Sequence, residues 1–242
     1  MTSPYLRIRQ LVIGTSSMAA CEKALCETFG MPVTDRVDPM AKSHAEFGIG
    51  ATMLAAGSQF IELVQPMSPD TPVGRHLKRL GGDGGYMIIL QIPDREAARK
   101  RVEALGIRII WEGGRGVYAL HLHPKDVGGT LLSLGMATPA GTWDQGGPDW
   151  EKRVDTRTVR AIRAAVVACE EPEKTAKLWG DILGVAPENR GPTTIDLFDC
   201  TLRFEKSPDG KFYGPAGIDL EATDPQMRGK QMKLCGINFR LV

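Results

Sequence analysis

Residues 84–92 read Gly-Gly-Tyr-Met-Ile-Ile-Leu-Gln-Ile, and residues 93–106 read Pro-Asp-Arg-Glu-Ala-Ala-Arg-Lys-Arg-Val-Glu-Ala-Leu-Gly. The run from Tyr86 to Ile92 is apolar and of strand length. Pro93 cannot donate to a ladder and stops it. Asp94 is placed to cap a helix whose Ala98, Val102 and Leu105 fall four and three apart, on one stripe. Gly106 suits the end of that helix, and Ile107 to Ile110 begin another strand. The pattern predicts strand, helix, strand.

The same grammar occurs twice more. Leu11 to Ile13 precede Thr15-Ser16-Ser17 and a helical stripe of Met18, Cys21, Leu25 and Phe29 that ends at Gly30. Ser16 or Ser17 is expected to accept from the free amides of the first turn. Ala164 to Ala168 precede Glu170-Glu171-Pro172 and a stripe of Ala176, Trp179 and Leu183 that ends at Gly184. Pro172 fits a first helical turn. The three terminal glycines lie 76 and 78 positions apart, the size of a whole supersecondary unit. Short strand-like runs follow each helix: His44 to Leu54 and Phe60 to Gln65, then Gly116 to His123 and Thr130 to Leu134, then Thr194 to Phe198 and Thr201 to Glu205. A fourth copy opens at Gly217 to Glu221 without room for a helix before the last strand, Gly236 to Val242. The fold class is therefore α+β, built from tandem βαβββ units. Residues 1–137 are expected to form one two-unit domain, 138–155 a linker whose Trp143 and Trp150 pack onto something, and 156–242 a second domain of one unit plus a degenerate one.

Composition limits the function. The chain has 242 residues, with 30 Lys and Arg against 29 Asp and Glu, a net charge of +1. That balance excludes a strongly basic nucleic-acid binder and an acidic solvating chain. The longest apolar runs are far shorter than the ~18 residues of a membrane span. No basic region with an apolar core opens the chain, so a cytoplasmic location is expected. The five cysteines form no Cys-x-x-Cys pair and are expected to be free thiols. Gly81 to Gly85 lies between a helix-like segment and a strand, the reverse of the order a phosphate cradle needs. It is read as the flexible link between units, with Asp83 a candidate edge of the pocket. His44 and His76 are expected at the surface. His121 and His123 alternate with Leu120 and Leu122 and so share one strand face.

Three phrases carry a family resemblance. They are Phe60-Ile61-Glu62-Leu63-Val64-Gln65-Pro66 with Ser68-Pro69-Asp70, the run Gly84 to Ile92, and Leu122-His123-Pro124-Lys125 leading into Gly128-Gly129-Thr130-Leu131-Leu132-Ser133-Leu134. From about Leu6 to Gly135 the chain resembles the vicinal oxygen chelate (glyoxalase-like) superfamily, in the manner of its methylmalonyl-CoA epimerase branch. The resemblance implies a cup-shaped mixed sheet and four inward side chains, usually two His and two Glu or Gln around a divalent metal. The matching positions here hold Gln10, Glu62, Met87 and Ser133. One carboxylate among an amide, a thioether and a hydroxyl is a poor set for such an ion, so no metal and no cofactor are expected. In the C-terminal half the matching positions fall near Ala164, Arg203, Asp219 or Leu220, and Arg240.

The resemblance thereby singles out Glu62. Set inward between Phe60 and Val64, it is either a general base with a raised pKa or a relic that bonds Gln10 or Ser133. The expected ligand contacts are Gln10, Phe60, Tyr86, Met87, His121 and Ser133, around a small organic molecule such as an acyl-CoA or another carbonyl compound. The expected activity is a metal-independent isomerase, epimerase or lyase working by proton abstraction next to a carbonyl. The rival is a non-catalytic protein that sequesters or senses a ligand, as bleomycin-resistance relatives do. A third reading places a metal at His121 and His123. No nucleic-acid or membrane partner is expected, and the chain is expected as a monomer or homodimer.

Overall fold

A computed structural model describes residues 3–38, 46–114 and 116–242. It is α+β, with two mixed sheets and four α-helices among the described residues. The chain divides into two compact units, each gathered from three stretches. One comprises Gln10–Tyr86, Gly146–Ile162 and Ala216–Val242 and holds Glu62. The other comprises Met1–Arg9, Met87–Gln145 and Arg163–Pro215 and holds His121.

In the Glu62 unit, β1 (Arg7–Gly14) leads into α1 (Met18–Phe29), then β2 (Val33–Val37), β3 (Ile49–Ala56) and β4 (Gln59–Pro66). Strands β2, β3 and β4 pair antiparallel, and β4 returns parallel to β1. The expected strand from His44 is found from Ile49; His44 itself lies outside the described residues. Helix α1 buries Cys21, Leu25 and Phe29, the predicted stripe without its first member. Its Gly30 cap takes the left-handed φ of 65° that a side chain would resist. Helix α2 (Pro72–Leu80) follows, capped by Thr71. The last part of the chain adds β12 (Gly214–Ala222), β13 (Gln231–Leu234) and β14 (Ile237–Leu241), with β14 parallel to β12 and antiparallel to β13. Phe29 and Phe239 meet with ring centroids 4.9 Å apart.

In the His121 unit, β5 (Gly84–Gln91) leads into α3 (Arg95–Ala104), β6 (Ile109–Gly113), β7 (Val117–Leu122) and β8 (Leu131–Ala137). Asp94 caps α3 as predicted, accepting from the Ala97 amide at 2.9 Å. Strand β8 returns parallel to β5, as β4 does to β1. The third copy is β9 (Val159–Cys169), α4 (Pro172–Leu183), β10 (Thr194–Asp196) and β11 (Thr201–Lys206), with β11 parallel to β9. Its meander is one strand shorter than in the other copies. The Arg190–Ile195 bridge stands where a further strand would pair. Trp179 of α4 is fully buried, edge-on to Phe204, and donates its indole N–H to the Val127 carbonyl at 2.9 Å. That bond satisfies the one polar atom of a large apolar side chain.

The 138–155 stretch holds two 3-10 turns, Asp144–Gly146 and Trp150–Arg153. Both tryptophans are buried, as expected. Trp143 lies under the Arg9 guanidinium, and Trp150 packs edge-on against Phe60.

Candidate functional site

Glu62 sits in the middle of β4. The parallel register with β1 sets Val12 opposite it and Gln10 opposite Phe60, while the antiparallel register with β3 sets Met53 opposite it. The pleat therefore gathers Gln10, Val12, Met53, Phe60 and Glu62 on one face. Gln10 is buried, and its Nε2 donates to Glu62 Oε2 at 2.7 Å while lying 3.9 Å from Met53 Sδ. The carboxyl group is enclosed by protein, yet the residue keeps part of its surface in contact with solvent. Burial disfavours the anion and pushes the pKa up to about 7; the Gln10 N–H favours the anion and offsets only part of this. Near neutral pH the group is thus shared between acid and carboxylate, and it remains reachable. Phe60 is fully buried behind it, against Trp150.

Tyr86 also belongs to the Glu62 unit, but its company is different. Its ring meets His76 of α2 edge-on, at 5.2 Å. Burial holds its hydroxyl high, at about 12. His76, expected at the surface, is buried, because Val73, His76 and Leu77 form the inward stripe of α2. Its Nε2 lies 2.8 Å from the Gly85 carbonyl, and burial depresses its pKa to about 4.

The His121 unit brings together two other expected residues. His121 of β7 and Ser133 of β8 are cross-strand partners, and His121 Nδ1 lies 3.0 Å from Ser133 Oγ. The imidazole packs on Trp111 with ring centroids 4.6 Å apart. Burial lowers its pKa to about 4, so the ring is neutral at pH 7. Met87 is buried on β5, in register with Leu131, on the same face as Ser133. His123 is not part of this pair; its Nδ1 accepts from the Lys125 amide at 3.2 Å and lies beside Arg108.

Among the described residues no group of three His, Cys, Asp or Glu side chains is gathered to hold a metal ion. Within the Glu62 unit, Gln10 and Glu62 offer one carboxyl group and an amide that already donates to it, a poor donor set for a divalent cation.

The start of α1 corrects an expectation. Neither Ser16 nor Ser17 caps it through a side chain. Thr15 Oγ1 accepts the Ser17 amide at 3.0 Å, and Gln65 Oε1 accepts the Met18 amide at 2.7 Å. Asp83 completes the turn, accepting from the Ser16 amide at 2.8 Å and from the Thr15 hydroxyl at 2.7 Å. These carboxylate contacts hold the Asp83 pKa below the usual range despite partial burial. A cleft of about 550 Å³ opens beside this helix start, among Met18, Arg36, Thr52, Gln65 and Met67. Thr52 and Gln65 alternate with Met53 and Glu62's neighbours, so these walls lie on the α1-covered face and not on that of the acid.

No family model matches the chain. Sequence relatives do. The mitochondrial methylmalonyl-CoA epimerase of Bos taurus is 28% identical over 96 residues, covering 38% of this chain and 55% of that protein. The ethylmalonyl-CoA/methylmalonyl-CoA epimerase of Cereibacter sphaeroides is 26% identical over 133 residues, covering 53% of this chain and 96% of that one. These sequence homologues are methylmalonyl-CoA epimerases, at low identity to this chain. The match to the bovine enzyme spans about half of that protein's length. A hypothetical protein from Staphylococcus aureus shares the whole architecture, with a TM-score of 0.71 at 12% identity over 98% of this chain and 99% of that one. The α+β fold described above is therefore shared over nearly the whole chain. None of its described helices is long and apolar enough to cross a membrane.

Proposed function

We propose that this protein is an epimerase of small acyl compounds, acyl-CoA thioesters foremost, and that Glu62 is its general base. One observation carries this reading: an enclosed carboxyl group on the central β4 ladder, held at about pKa 7 and pinned through Oε2 by Gln10. A base works best with a pKa near the working pH, because it is then both deprotonated and basic enough to take a carbon-bound proton. A carboxylate in water, near pKa 4.3, is too weak for a proton next to a carbonyl.

In this reading Glu62 removes the proton from the carbon beside the thioester carbonyl and holds it while an enolate forms. Delivery of a proton from solvent water to the opposite face gives the epimer, and the proton held by Glu62 passes back to solvent. The Gln10 N–H fixes the orientation of the carboxylate and keeps its pKa from rising further. The donor set around Glu62 suits proton transfer better than metal-assisted chemistry, so the proposed activity is metal-independent. The epimerase names of the sequence relatives support the substrate class.

The test is proton exchange. Incubated with methylmalonyl-CoA in deuterated water, the protein is expected to wash deuterium into the position next to the carbonyl, before and after exhaustive chelation. Glu62→Gln is expected to stop the exchange while retaining binding. Exchange that survives in Glu62→Gln, or that vanishes on chelation and returns with metal, contradicts the proposal.

A further inference from the structure

Away from the acid, the Glu62 unit brings together two cysteines that lie 214 positions apart in the sequence. Both are free thiols. Cys21 is buried in α1, and Cys235 is half-buried at the tip of the β13–β14 hairpin. The two side chains are neighbours, and each shifts the other's pKa. Leu234 and Ile237 pair across the hairpin, so Cys235 and Gly236 form a two-residue turn with φ of 50° and 77°. Such turns favour Asn, Asp or Gly, and cysteine is an unusual choice for the first place. Gly236 is required by close approach: a Cβ there would stand 1.9 Å from the Asp83 carbonyl oxygen. The hairpin tip is therefore seated on the 83–84 backbone, and this seating presents Cys235 to Cys21. Asp83 Oδ2 lies 3.5 Å from Cys21 Sγ, and Thr15 Oγ1 lies 3.2 Å from it.

We propose that Cys21 and Cys235 form a reversible intramolecular disulfide under peroxide, a redox site independent of the reaction at Glu62. The chemistry balances as two thiols plus one hydrogen peroxide giving one disulfide and two waters. Cys21 is the attacking sulfur. Its pKa is lowered, chiefly through Cys235 and also through Thr15, against burial and the Asp83 carboxylate, while that of Cys235 is raised by the same interaction and by burial. The Cys21 thiolate breaks the peroxide O–O bond and becomes a sulfenic acid, releasing hydroxide that takes a proton to become water. Cys235 then attacks the sulfenic sulfur, its own proton leaving with the displaced hydroxyl as the second water. A disulfide needs the sulfurs at roughly 2.0 Å, so its formation requires the two side chains to close on each other. The bond would tie the N-terminal turns of α1, beside the cleft at Met18, to the β13–β14 tip. The half-exposed edge of Cys235 gives the oxidant its way in. Cys26, further along α1, has its pKa raised by burial and by Glu22.

The experiment treats the full chain with hydrogen peroxide, alkylates the remaining thiols after unfolding, and maps tryptic peptides without reductant. Peptide 10–23 joined to peptide 234–240 is expected, with reactive thiols falling from five to three and returning with dithiothreitol. Cys235→Ala is expected to abolish the internal cross-link and to slow oxidation of Cys21, which loses the neighbour that lowers its pKa, with any sulfenic acid formed there staying dimedone-reactive. Cys26→Ser is expected to change nothing. Cross-links that involve Cys26 equally, a Cys21 that stays alkylated after peroxide, or loss of two thiols in Cys235→Ala would each overturn the proposal.

Discussion

Two copies of one strand–helix–meander unit place different chemistry at the same three register positions. In the first copy, Gln10 lies on the opening strand, Glu62 on the closing strand and Met53 across from Glu62. In the second, these places hold Met87, Ser133 and His121. The backbone pairing is the same, with the closing strand parallel to the opening one and antiparallel to its neighbour. The side chains are not. The first copy encloses a carboxyl group whose pKa rises to about 7; the second encloses a histidine whose pKa falls to about 4 and pairs it with a hydroxyl. Burial acts on both, and in both it favours the neutral form. For an acid this creates a base strong enough to be useful at neutral pH. For an imidazole it removes the charge altogether. The contrast shows how one ladder geometry holds an acid or an imidazole according to the residues at three register positions.

The largest expected effect separates the two copies by activity. Glu62→Gln should lower deuterium exchange into methylmalonyl-CoA by about 1,000-fold, within the range a positioned general base contributes. Ser133→Ala should lower it by less than about tenfold. A larger loss in Ser133→Ala than in Glu62→Gln would reverse the assignment of roles.

Stability should sharpen the contrast through opposite pH dependence. The folded-state pKa of Glu62 lies above its unfolded value. The stability tied to it is therefore full below about pH 4.5 and is lost as pH rises through about 7. Glu62→Gln should gain about 2 kcal/mol over the parent at pH 8.5 and gain little at pH 4.5. The folded-state pKa of His121 lies below its unfolded value, so its contribution is full above about 6.5 and is lost as pH falls towards 4. His121→Gln should therefore flatten the acid limb, by about 2 kcal/mol at pH 4. Urea unfolding across pH checks both signs, and parallel curves for parent and variants would contradict the two burial effects.

A smaller effect isolates Gln10. Its N–H lowers the Glu62 pKa, so Gln10→Leu should raise the base and move the rising limb of the exchange profile to higher pH. Ser133→Ala should leave that limb in place. A downward shift in Gln10→Leu would mean that the hydrogen bond does not act on the carboxylate as described.

Much of the fold was legible because it repeats. The stripes at Cys21 to Phe29, Ala98 to Val102 and Ala176 to Leu183, each closed by glycine, report a helix between two strands whatever the tertiary context. Glu62 was legible as the one acid in an apolar alternating strand; a bond to Gln10 or Ser133 was the mark expected of a relic rather than a base, and the bond to Gln10 is present beside the raised pKa. Other features depend on contacts between distant parts of the chain. The cap of α1 comes from Gln65 and Asp83, 47 and 67 positions beyond the amides they serve. His76 looks like part of a basic surface helix until α2 is seen to turn it inward with Val73 and Leu77. Cys21 and Cys235 carry no local signature, since nothing in either neighbourhood names the other. Spacing patterns report local periodicity; such partners are set only when the ladders close.

The most direct measurement is a titration of the Glu62 carboxyl carbon by carbon-detected NMR in selectively labelled protein, assigned by its loss in Glu62→Gln. A midpoint near pH 7, moving upward in Gln10→Leu, is the predicted result. A midpoint near 4.5, the value of an ordinary solvated glutamate, would contradict the assignment of Glu62 as an enclosed base.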